Sequence, residues 1–175
     1  MKSLALPLLA MLTSVACSEA APLGGDSDTS GETGVVDTTE PVGRVQLNEV
    51  SASGDFVNDD AGDPGEDWIE LAVFDGPVDL GGYSLTDGSA DPWPLPPIQV
   101  EPGTYRMVWC DDDSSQGAWH ASFKLSATGE HLVLASADGP VDETTMPAAQ
   151  DGLTWSRDAA GGAWAYADPT PAAAN

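Results

Sequence analysis

From residue 44 onward the chain never sustains the 3.6-residue apolar period of an amphipathic helix. It breaks instead into short alternating or β-branched runs: RVQLNEVSA, DWIELAVF, GYSLTDG, TYRMVWC, ASFKLSA, EHLVLASA, VDETTM, LTWSR and AWAYA. Turn signals such as Gly76-Pro77, Gly81-Gly82, Asp87-Gly88, Pro102-Gly103 and Asp151-Gly152 divide them. Short strands that bury alternate residues must stack as two sheets to enclose a core. The expected fold class is therefore all-β, a β-sandwich of about eight or nine short strands spanning residues 43–175. The stretch DPWPLPPIQVEPG holds five prolines, so most of it is expected to cross an end of the sandwich rather than lie within a sheet.

Residues 1–42 lie outside this pattern. A single positive residue, Lys2, precedes an apolar run from Leu4 to Leu12 and then Ser14-Val15-Ala16-Cys17. That is the layout of a secretory signal peptide, too short for a permanent membrane span. Its end resembles a bacterial lipobox, with Ser14 where leucine is usual, which makes 1–16 a lipoprotein signal peptide and Cys17 the lipid-attachment residue. The competing reading is an ordinary signal peptide cut near Ala16, Ala20 or Ala21. Residues 17–42 carry six acids, no base and no aromatic residue, and are expected to form a disordered tether. As a flexible coil it would hold the next domain about 25–30 Å from a membrane. Ser18 is not the aspartate that retains some lipoproteins at the inner membrane, so a bacterial envelope location at the outer membrane, facing either side, is expected.

The whole chain has 29 Asp and Glu against five Lys and Arg, a net charge of −24. Direct binding of nucleic acid or of an anionic lipid surface is disfavoured, because neutralising phosphates takes clustered bases. Divalent cations and cationic partners stay open. Cys17 and Cys110 are the only cysteines, so lipidation of the first leaves no intrachain disulfide. Cys110 ends an alternating run and reads as a small buried core residue.

The order of segments resembles the lamin-tail domain, an immunoglobulin-like β-sandwich also found in bacterial secreted and lipidated proteins. The matching pieces are LNEV (47–50), DWIEL (67–71), VDLGGYSLTD (78–87), EPGTYRMVWCDDD (101–113) and HASFKLSATGEHLVLASADG (120–139). The ending PTPAAAN (169–175) is similar to the family's Pro-Thr-Pro-Gly-x-x-Asn, with Ala172 at the glycine position. Departures are the acidic WCDDD and the TWSRDAAGG stretch, where Gly-Arg is more usual. The resemblance covers nearly all of 44–175 and implies a non-enzymatic binding, adhesion or targeting module with an unidentified protein or glycan ligand. No appended catalytic domain is expected. A purely structural envelope protein is the alternative.

The acidic run NDDAGDPGEDWIEL poses the sharpest question about a site. An EF-hand register starting at Asp59 would put Asp63 at position 5 and Glu70 at 12, but Ala61 at 3 and Pro64 at the glycine position reject it. A looser calcium site using Asn58, Asp59, Asp60, Asp63 and Glu66 remains open, as does a merely solvated turn. Asp111, Asp112 and Asp113 begin a second such loop, and a shared end of the sandwich would make a better-charged joint site. Glu49 and Glu70 lie within strands. They read either as acceptors of backbone N–H groups from a neighbouring loop or as the carboxylate pair of a hydrolase. His120 and His131 are too few for a zinc site, and no Gly-x-Ser-x-Gly elbow is present. Trp68, Trp109, Trp155 and Trp164 read as core; Trp93 and Trp119 read as caps on the ends, or as binding aromatics.

Overall fold

A computed structural model describes residues 42–52, 65–88, 91–159 and 162–175. It contains β1 (Arg44–Ser51), β2 (Trp68–Phe74), β3 (Val78–Asp79), β4 (Tyr83–Thr86), β5 (Trp93–Pro94), β6 (Gln99–Val100), β7 (Tyr105–Trp109), β8 (Glu130–Ser136), β9 (Gly139–Met146), β10 (Thr154–Arg157) and β11 (Trp164–Ala167). A 3-10 turn, Leu80–Gly82, is capped by the Asp79 carboxylate, which accepts the Gly81 N–H. One sheet has the order β11-β10-β1-β2-β7, a second the order β5-β4-β8-β9, and β3 pairs with β6 in a short ribbon. The fold is an all-β sandwich with antiparallel pairing throughout its named strands.

Strand register explains the core. Val50 lies opposite Ile69 and Trp155, and Ile69 opposite Val108, so these four side chains form one inward rung. The neighbouring rung, Ser156, Glu49, Glu70 and Met107, faces the other way. Strict alternation would put Leu47 and Val50 on opposite faces. A bulge between Leu47 and Glu49 leaves Asn48 without a register partner, and both apolar residues are fully buried. Leu80, Leu85, Leu132, Leu134 and Met146 join them in a single apolar cluster.

The sheets are also clasped by polar groups. Beyond the short β1–β10 pairing, the Leu47 backbone is met by side chains: its N–H donates to Asp142 Oδ2 at 2.8 Å and its carbonyl accepts from Arg157 Nε at 2.9 Å. Arg157 Nη2 lies 2.5 Å from the same Asp142 oxygen, which closes the set. Nearby, Trp155 Nε1 donates to Thr144 Oγ1 at 2.9 Å.

Eight of the nine expected runs form strands of four or more residues. The exception is ASFKLSA, where one isolated bridge, at Lys124, occurs, with a second at His120 just before the run. Phe123 and Leu125 do turn inward, at 6% and 7% exposure, but on irregular backbone held at Leu125 N–H by the Asp67 carboxylate (3.0 Å). Alternation here records burial without a ladder. The proline-rich stretch contributes only the two-residue β5 and β6. β5 sits at a sheet edge, where Pro94 costs no ladder bond to a further strand. Trp93 is buried on β5 rather than capping an end from a loop.

Candidate functional site

The antiparallel register of β2 and β7 sets Trp68 opposite Trp109, so the chain entering β2 and the chain leaving β7 meet at one end. Cys110 N–H donates to the Asp67 carbonyl at 2.8 Å and ties the two together. Gly65, Glu66, Asp67, Cys110, Asp111, Asp113, Gln116 and Lys124 line a pocket of about 400 Å³ at this end. Two acid-bearing segments, with Asp67 and Asp111 more than forty residues apart in sequence, thus share one site. Glu66 and Asp67 on one side face Asp111 and Asp113 on the other, with Lys124 as the lining cation.

Within the second loop the acids already have local work. Asp111 Oδ2 lies 2.6 Å from His120 Nδ1, a pair whose side chains are about nine-tenths buried. Asp111 Oδ1 accepts the Asp113 N–H at 2.9 Å. Asp113 accepts the Ser115 N–H at 3.0 Å and the Ser115 hydroxyl at 2.5 Å, and these bonds hold its carboxyl below the usual carboxylate range. Asp112 is exposed, with φ of 60°, a left-handed conformation that aspartate tolerates. Asp67 behaves in the opposite sense: burial pushes it up to about 6, against the Leu125 N–H and the Lys124 charge. Burial, reinforced by the Asp67, Asp111 and Asp87 carboxylates, raises the Cys110 thiol well above its ordinary value and suppresses the thiolate.

Of the proposed calcium ligands, Glu66 is 6% exposed and lines the pocket with Asp111 and Asp113. Asn58, Asp59, Asp60 and Asp63 lie outside the described residues, as do Cys17 and everything before position 42. Among the described residues no three His, Cys, Asp or Glu side chains are grouped to hold a metal ion. Asp67, Gln116 and Lys124 belong to the pocket without having been singled out in the sequence. Asp67 was legible as the residue entering β2, but its inward turn towards Leu125 was not.

Glu49 and Glu70 have another role. They are register partners on the outer face of the larger sheet, both fully buried, beneath residues 168–175. Glu49 accepts the Thr170 N–H at 3.0 Å and hydroxyl at 3.0 Å, and the Thr154 hydroxyl as well. Glu70 accepts the Ala172 N–H at 2.5 Å and the Asn48 amide at 2.8 Å. Asn175 closes the segment by donating its amide to the carbonyls of Asn48 (2.9 Å) and Arg157 (2.8 Å). Burial raises Glu70 to about 7; the Asn48 and Ala172 bonds oppose that shift and the Glu49 charge adds to it. The two carboxylates are built as anchors for the segment that covers them.

The histidines do not join them: His120 is held on Asp111, and His131 Nε2 stands 3.5 Å from Glu143 on an exposed surface. Trp68 is fully buried, Trp109, Trp155 and Trp164 are half-buried, and Trp119 packs against the core beneath the Arg106 guanidinium (4.7 Å). Compared with known proteins, the sequence matches no family model and no curated protein, and the fold matches no solved structure.

Proposed function

We propose that this is a non-enzymatic recognition domain of the lamin-tail type, carried by an envelope lipoprotein and working through the loop end built from residues 65–67 and 110–116. The observation that carries the reading is the β2–β7 register, which brings two acidic loops onto one 400 Å³ pocket at the end of a rigid sandwich. Glu66, Asp67, Asp111 and Asp113 outweigh Lys124 in its lining, and a net-negative cleft concentrates positive charge, so its ligand is a divalent cation or a cationic group of a partner protein. Calcium, bridging the described acids to Asn58, Asp59, Asp60 and Asp63, would order the end for recognition. Lipidation at Cys17, with residues 17–42 as tether, would present the domain from the outer membrane.

The hydrolase reading is weaker on geometry. A substrate would have to displace residues 168–175 to reach Glu49 and Glu70, whose oxygens already accept from Thr170 and Ala172. The experiment is a calcium titration of the protein's thermal midpoint. A rise that saturates between micromolar and low millimolar calcium, and that disappears in an Asp59→Asn/Asp60→Asn/Asp63→Asn variant, is expected. A shift no larger than sodium chloride gives at equal ionic strength would overturn calcium ordering and leave cationic protein partners to be tested by pull-down.

A further inference from the structure

Away from the acidic end, residues from β8, β9, β10 and β11 line an open groove of about 330 Å³: His131, Glu143, Thr144, Thr145, Trp155 and Trp164. Strand register builds it. Trp155 stands opposite Tyr166, and Arg157 opposite Trp164, so all four side chains project from one face of the β10–β11 pair. The two indoles are nearly parallel, 13° apart, with centroids separated by 6.1 Å, and Tyr166 leans on Trp155 at 5.2 Å. Such a separation is an offset stack, in which neither ring covers the other fully, and both indoles are partly buried and partly open to the groove. Arg157 sits 4.8 Å from the Trp164 centroid, and Trp155 Nε1 is bonded to Thr144, so both rings are fixed in orientation. The groove wraps the β9 edge: Thr144 faces the indoles, while His131, opposite Thr145, and Glu143 two residues along β9 lie on the outward face of that sheet. The His131 and Glu143 side chains are 52% and 65% exposed.

We propose that this groove binds a neutral polysaccharide, a pyranose ring lying against the indole platform while its hydroxyls bond to His131, Glu143 and Thr145. The C–H face of a pyranose is apolar and slightly positive, which matches the negative face of an indole. Its equatorial hydroxyls need both donors and acceptors around the rim, and an imidazole, a carboxylate and a threonine hydroxyl supply both. Charge selects within the class: Arg157 beside the platform is paired with Asp142, Glu143 lines the groove, and the chain carries −24, so acidic sugars are repelled. The groove is open rather than closed, which suits internal units of a chain. Fixed aromatic rings lose little freedom on binding, which favours affinity from a shallow surface. This site is separate from the acidic loop end, and its test does not depend on calcium.

The intact protein is applied to an array of neutral glucans, mannans, galactans and xylans, with polygalacturonate as the acidic probe, and hits are titrated by tryptophan fluorescence. Saturable binding to a neutral polymer is expected, weakened about tenfold by His131→Ala or Thr145→Val, the scale of one or two lost hydrogen bonds. Those two positions are exposed, so both variants should fold, and Trp164→Ala adds a third that should abolish binding. No saturable binding to any neutral polymer, preference for polygalacturonate, or binding unchanged in all three variants would each overturn the proposal.

Discussion

Glu70 sits where burial, a neighbouring carboxylate and two donors compete for one proton. Its folded value of about 7 stands above the ordinary 4.5, so the folded chain holds the proton more tightly than the unfolded chain does. The stability this contributes is complete below about pH 4.5, falls as pH rises to about 7, and is level beyond. At 1.36 kcal/mol per pKa unit the full change is about 3 kcal/mol. Asp67, raised to about 6, acts in the same sense over a lower window. A Glu70→Gln variant cannot ionise, and the Asn48 amide can turn over to accept from the new amide. Urea unfolding at pH 4.5 and pH 8 should therefore show the wild-type protein losing about 3 kcal/mol relative to Glu70→Gln. Equal pH dependence of the two proteins would mean that the folded chain holds the Glu70 proton no more tightly than the unfolded chain does. The clasp at Leu47 is a second residue-scale case. Asp142→Ala removes the acceptor of the Leu47 N–H and the carboxylate that neutralises Arg157, a pair only 10% and 17% exposed. A loss of about 3 kcal/mol is expected, measured as a lower urea midpoint at unchanged slope.

At the scale of elements, residues 168–175 form no strand yet seal the outer face through Thr170, Ala172 and Asn175. Ala172 turns with φ of 60°, the left-handed region that its Cβ disfavours by about 1–2 kcal/mol. Glycine would relieve that while giving the unfolded chain more freedom, at a cost of about 0.5–1 kcal/mol. Ala172→Gly should thus raise stability by up to about 1 kcal/mol, and a lowered urea midpoint would show that the alanine contributes packing that the turn geometry conceals. This position was readable in advance, because the motif resemblance marks it as a glycine site. The strands were readable for a physical reason as well: alternation of apolar residues is imposed by the pleat, and eight of nine runs obey it. ASFKLSA misled because an irregular segment can bury alternate residues when a side chain, here Asp67, satisfies its backbone. The Asn48 bulge and the Asp142–Arg157 clasp were not readable: the bulge shows only in the register of β1 on β2, and the clasp needs β9 of one sheet packed over Leu47 of the other, 95 residues away. For the candidate site the acids were visible, and so was the possibility that their loops share an end. That they line one pocket follows only from the pairing of Trp68 with Trp109.

For the whole molecule, the dominant fact is a net charge of −24 on 175 residues. Ion pairs do little to offset it: Arg44–Asp75 is largely exposed, and the Arg157–Asp142 pair neutralises only itself. Residues 43–175 carry −19 of that charge, 23 acids against four bases. Like charges on so small a domain repel across its surface, which disfavours the compact state relative to the expanded one. Simple salt shortens the reach of that repulsion from about 30 Å at 0.01 M to about 8 Å at 0.15 M, while the buried carboxylate bonds of Glu49 and Glu70 are barely screened. The thermal midpoint should therefore rise by a few degrees between those two sodium chloride concentrations, smoothly and without saturation. Magnesium matched for ionic strength should give a similar rise, and calcium should exceed both if it is bound at the acidic end. A midpoint that falls with sodium chloride would show that short-range attractions among surface charges outweigh the net repulsion. The solubility implied by the charge would then be the main consequence of the acidic surface.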